Sequence, residues 1–62
     1  MIELHFRLSS HPITFNLSAI GCFAPAENGN GTILYLVNDD FYTVKEDYEL
    51  VKKLVEKGGN YD

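Results

Sequence analysis

Apolar and polar residues alternate over the first eight positions. Ile2, Leu4, Phe6 and Leu8 fall on one side, with Glu3, His5 and Arg7 on the other. That period of two marks a half-buried strand. Ser9-Ser10-His11-Pro12 breaks the pattern, because a proline lacks the N–H that an interior ladder needs. Ile13, Phe15 and Leu17 resume it around Thr14 and Asn16, so the two segments are expected to pair as a hairpin. A third apolar, β-prone stretch covers residues 19–24, with Gly21 inside it and Pro25 at its end. Glycine within a strand marks a bulge or a sharp bend. Glu27-Asn28-Gly29-Asn30-Gly31 holds two Asn-Gly steps, a strong turn signal. Residues 32–37 and 41–44, separated by Asn38-Asp39-Asp40, read as a second hairpin.

The period lengthens where the charges begin. Asp47 suits an N-cap, since its carboxylate can accept a hydrogen bond from a free N–H of the first turn. Tyr48, Val51 and Val55 then share a stripe with Leu50 and Leu54 beside it, while Lys52, Lys53, Glu56 and Lys57 fall elsewhere. Gly58 and Gly59 are expected to stop the helix. The spacing predicts a helix over about residues 47–57 and a frayed tail at 60–62. So short a helix is marginal alone in water and must dock its stripe on the sheet. The expected fold class is α+β: four to five antiparallel strands in a bent sheet or small barrel, then one C-terminal helix, in a single domain over residues 1–59.

Size and charge narrow the function. A chain of 62 residues buries only about 60% of its unfolded surface, and such domains commonly gain stability from a disulfide, a metal or a partner. Cys22 is the sole cysteine, which excludes an internal disulfide, and no clustered Cys/His set suits structural zinc. Association with another copy or another protein therefore gains weight. The net charge is −4, and no Lys or Arg lies between Ser9 and Val44. Nucleic-acid binding rests on a basic face, and this stretch offers none. No apolar run reaches the roughly 18 to 20 residues of a membrane span, and no basic start leads into an apolar stretch as in a secretory signal. A cytoplasmic, membrane-free location is expected, in keeping with an unpaired cysteine.

Two segments, Asn16-Leu17-Ser18-Ala19-Ile20 and Tyr42-Thr43-Val44-Lys45-Glu46-Asp47, followed by Val51 and Val55, resemble the FlbD-like proteins, short bacterial proteins linked to flagella and swarming. Those open with a strand, pass through an Asn-containing second strand and a hairpin, and end in a Val-Lys-Glu-Ser step into a short helix. This chain departs at the first turn, which is Ser9-Ser10-His11-Pro12, and in the longer loop from Pro25 to Gly31. Phage-encoded small proteins share the same build. The resemblance implies an accessory protein that acts by protein contact, without catalytic residues.

Each candidate site has a plainer explanation. Asp39 and Asp40 are paired carboxylates, but Asp and Asn also populate hairpin turns, and a site would need a third partner. His5 and His11 are placed to meet across the first hairpin as a proton-sensitive or metal-binding pair, yet two histidines alone make a poor ligand set; surface positions are expected. Cys22 lacks the electropositive setting of a reactive thiol, and a buried structural role is expected. The Asn-Gly loop leads into a strand, whereas phosphate-cradling glycine loops lead into a helix. The aromatics are the least generic feature. Both faces of residues 33–37 are apolar, as they are at Phe41 and Tyr42, and one helix covers one face. Tyr35, Val37, Phe41 and Tyr42 are the expected interface. The expectation is a non-enzymatic interaction module, a homo-oligomer or an accessory subunit of a bacterial or phage assembly. It has no cofactor, metal or small-molecule substrate. The alternative is a small β domain that stacks single-stranded nucleic acid on its aromatics.

Overall fold

A computed structural model describes residues 1–27 and 29–59. Asn28 of the Asn-Gly loop and the expected tail at 60–62 lie outside the described residues. In chain order the elements are β1 (Ile2–His5), β2 (Pro12–Phe15), a 3-10 helix (Leu17–Ala19), β3 (Ile20–Pro25), β4 (Thr32–Leu36), β5 (Phe41–Val44) and α1 (Tyr48–Gly59). The class is α+β. The strands divide into two antiparallel sheets, a β1–β2 hairpin and a β3–β4–β5 meander. Phe6 forms an isolated antiparallel bridge with Val44. Beside it the Arg7 N–H donates to the Thr43 carbonyl at 3.1 Å and the Lys45 N–H to the His5 carbonyl at 2.8 Å. These bonds stitch β1 to β5.

The first hairpin pairs Ile2 with Phe15 and Leu4 with Ile13, which gathers the alternating apolar residues on one face. Its strands are shorter than the alternation suggests. The Phe6 N–H donates to the His11 carbonyl at 2.9 Å and the Ser10 N–H to the Phe6 carbonyl at 3.0 Å, with Ser10 at φ 63. The chain has already turned by Leu8, whose side chain is 92% exposed and lies outside the core that its place in the pattern implied. Leu17 also leaves its strand. The Asn16 carboxamide oxygen accepts from the Ser18 N–H at 3.3 Å and its hydroxyl at 3.1 Å, which winds the chain into the 3-10 helix.

Ile2, Leu4, Phe15, Leu34, Val44 and Val51 form the buried core, so each sheet and the helix contributes to it. The Tyr42 ring packs between Phe6 and Phe15 at centroid distances of 5.8 and 5.9 Å. The Asp47 carboxylate accepts from the Leu50 N–H at 2.9 Å and caps α1. Val51 faces the sheets, Leu54 and Val55 are half-buried against the core, and Tyr48 stacks obliquely on Phe23 at 5.6 Å. Gly58 and Gly59 do not stop the helix, which runs through Gly59. A Cβ at Gly58 would lie 2.6 Å from Leu17 Cδ1, so this glycine admits close packing of the last turn on the 3-10 helix.

Gly31 sits where the two sheets meet. Its φ is +103, and a Cβ there would lie 2.2 Å from the Val44 carbonyl oxygen. Gly29 shares the positive φ, at +78, but a Cβ there meets nothing within 4 Å. Gly31→Ala should therefore combine backbone strain with displacement of β5 and cost about 3 kcal/mol or more. Gly29→Ala should cost only the left-handed penalty, about 1 kcal/mol. Urea denaturation of the two variants checks this; equal losses would show that the approach to Val44 is not tight.

Candidate functional site

Among the described residues, no element covers the outer face of the β3–β4–β5 sheet. Along β4, Thr32, Leu34 and Leu36 turn inward while Ile33 and Tyr35 turn outward, as the burial alternation shows. Register sets Tyr35 opposite Phe41 and Ile33 opposite Thr43. Tyr35 is 43%, Phe41 63% and Val37 68% exposed, and the Tyr35 and Phe41 rings lie 6.2 Å apart at 37°. Of the four expected interface residues, three thus share the outer face. Tyr42 does not, because its ring is half-buried between Phe6 and Phe15. It instead helps floor a shallow groove of about 410 Å³ that Phe6, Leu8 and Phe41 also line.

Cys22 belongs to this face as well. It is exposed and pairs with Tyr35, contrary to the buried position expected of it. The cause is a bulge: register shifts between Ile20, which opposes Leu36, and Cys22. The extra residue, Gly21, reverses the alternation, so Phe23 turns inward opposite Leu34 and Cys22 turns out.

The structure brings His5 to a partner that sequence distance concealed. The His5 N–H donates to Glu46 Oε1 at 3.0 Å, and His5 Nδ1 lies 2.7 Å from Glu46 Oε2. Forty-one positions separate the two residues; their juxtaposition follows from the β1–β5 seam and has no local signature. Burial alone would push the Glu46 carboxyl up. The hydrogen bonds from the His5 ring and backbone, from its own backbone N–H, and the His5 charge outweigh that and hold it below its ordinary value. The Thr32 hydroxyl, fully buried, donates to the Glu46 carbonyl at 2.8 Å, so one residue anchors β1, β4 and the entry to α1.

The His5–Glu46 pair has the geometry of a carboxylate-oriented histidine. A histidine oriented by a carboxylate needs a nucleophile or a metal on its other side. Among the described residues, no three His, Cys, Asp or Glu side chains gather closely enough to hold a metal. His11 is exposed and gives its carbonyl to Phe6, while the His5 ring is engaged by Glu46. Asp39, at φ 76, and Asp40 form a tight turn. The Asp40 N–H donates to the Asn38 carboxamide oxygen at 3.1 Å, and the Leu36 N–H to the Asp40 carbonyl at 2.8 Å. Turn geometry accounts for both carboxylates.

A carboxyl whose pKa is lowered on folding contributes stability above its unfolded value, 4.5, and loses it as pH falls through the folded value. Glu46→Gln should destabilise the protein by about 1–2 kcal/mol at neutral pH, and the gap to wild type should narrow on acidification below about pH 4.5. Thermal unfolding of both proteins across this pH range is the check; a constant gap would remove the charge from the interaction.

Comparison with family models, curated proteins and solved structures found no match.

Proposed function

We propose that this chain is a non-enzymatic protein-interaction module that docks through the outer face of β3–β5. It would serve as an accessory or self-associating subunit of a bacterial or phage assembly, in the manner the FlbD-like resemblance implies, and in the cytoplasm. One observation carries the reading: Tyr35, Val37 and Phe41 stand exposed together on a sheet face whose other side already holds the core. Exposed aromatic residues grouped on one face characterise binding surfaces. In this reading the Phe6–Val44 bridge lets the two sheets act as one bent five-stranded wall, with α1 on the inside and the partner on the outside.

The same ring pair could stack nucleotide bases. Charge argues for protein. Asp39 and Asp40 follow β4 at the end of the face nearest the rings, whereas Arg7 and Lys45 pair near Thr43 and His5 at the other end.

Phe41→Glu should abolish docking, measured both as self-association and as capture of other proteins by the immobilised chain, with the melting temperature little changed. Leu50→Glu alters a comparably exposed residue on α1, 44% exposed, and should leave docking intact. Equal behaviour of the two variants, or no association by wild type in either measurement, would defeat the proposal. Salt-steep binding of a random single-stranded oligonucleotide, lost in Phe41→Glu, would favour the nucleic-acid reading instead.

A further inference from the structure

We infer that the occupant of this face is a second copy of the chain, stacked face to face and antiparallel about a two-fold axis; the inference rests on the docking reading above. The middle of the face is uncharged: Cys22, Ile33, Tyr35, Phe41 and Thr43 meet there in register. Its ends differ in charge: Arg7 and Lys45, with Glu27 beside Arg7, stand at one end, and only the carboxylates Asp39 and Asp40 at the other. Arg7, bonded through its N–H to Thr43, reaches across the face to within 3.5 Å of the Asn30 carbonyl. Lys45 follows on the same side of the seam, opposite His5, and donates to the Ser10 hydroxyl at 3.2 Å. Glu27 lines a groove with Arg7, but no carboxylate forms an ion pair with Arg7 among the described residues. At the opposite end, about 13 Å away along β4 at ~3.3 Å per residue, the turn presents Asp39 and Asp40, both exposed. No cation forms an ion pair with either among the described residues.

A two-fold axis through the centre of the face sets Arg7 of each copy over Asp39 and Asp40 of the other. A surface with an excess of cations at one end (Arg7 and Lys45 against Glu27) and only carboxylates at the other is complementary to itself in that orientation, and an isologous dimer requires such self-complementarity. A parallel stack would set like charges together. The apolar middle then packs as two sheets do in a sandwich, about 10 Å apart, with the tilted Tyr35–Phe41 pairs at its centre. A face of three short strands buries less than the ~1,600 Å² of a standard interface, which places the dimer in the weak class.

Sedimentation equilibrium of the full chain tests the inference. Wild type should show a monomer–dimer equilibrium with Kd between about 10 µM and 1 mM, as expected for an interface under ~1,200 Å². Arg7→Glu should weaken it at least ~10-fold, and so should the double variant Asp39→Asn/Asp40→Lys, by opposing like charges. An equimolar mixture of the two should recover wild-type affinity. In the mixed dimer the introduced carboxylate faces the introduced ammonium, and at the other end the native Arg7 faces the native Asp39 and Asp40. Recovery on mixing also proves that both variants fold. If wild type stays monomeric while Phe41→Glu loses capture of another protein, the two-fold dimer is overturned and the docking face stands. If wild type dimerises but mixing gives no recovery, the antiparallel orientation is overturned. If Phe41→Glu changes neither measurement, the docking reading falls and the dimer with it.

Discussion

The seam between β1 and β5 is the contact on which the rest of this structure depends. An isolated two-stranded hairpin is marginally stable in water, and β1–β2 is such a hairpin until Phe6 bridges to Val44. Two backbone hydrogen bonds flank the bridge, each contributing about 0.5–1.5 kcal/mol net. Their larger role is to satisfy polar groups around Val44, which is fully buried and would otherwise bring an unpaired backbone inside. Gly31 gives the seam its room, since any side chain there would press on the Val44 carbonyl. Glu46 closes it from the other side by accepting from the His5 backbone and ring together.

The seam also determines which surfaces remain free. With β1 joined to β5, the inner faces of both sheets converge on Leu4, Leu34, Val44 and Val51. Helix α1 fills that space. Among the described residues no element covers the outer face of β3–β5, so the exposure of Tyr35, Val37 and Phe41 follows from this topology. A small domain with a modest core has more to gain from burying a second apolar face than from exposing it, at about 25 cal/mol per Å².

Nothing about the histidine–carboxylate pair requires catalysis to explain it. His5 orients Glu46, and Glu46 caps a strand end and receives the Thr32 hydroxyl at its carbonyl. Pairing of this kind leaves no buried polar atom unsatisfied among the described side chains, which is what a structural clamp between distant segments must achieve.

Local periodicity was enough to locate both hairpins, the Asp47 cap and the apolar stripe of the helix, because alternation and capping depend on neighbours within a few residues. The two-sided apolar pattern around Tyr35 and Phe41 was legible for the same reason. Tertiary structure alone decided the rest. The division into two sheets depends on which strands find each other across long stretches of chain, as Phe6 finds Val44, and the His5–Glu46 contact follows from that pairing. The orientation of Cys22 turned on where the Gly21 bulge fell in the register, since a shift of one residue reverses every side chain beyond it. Leu8 kept the pattern of a strand but lost the strand itself, because Ser10 and His11 folded back on Phe6 before it could pair. Gly58, which reads as a stop signal in sequence, became a packing contact once Leu17 stood against it. Periodicity reports which residues prefer burial; only the assembled chain sets which of them find it.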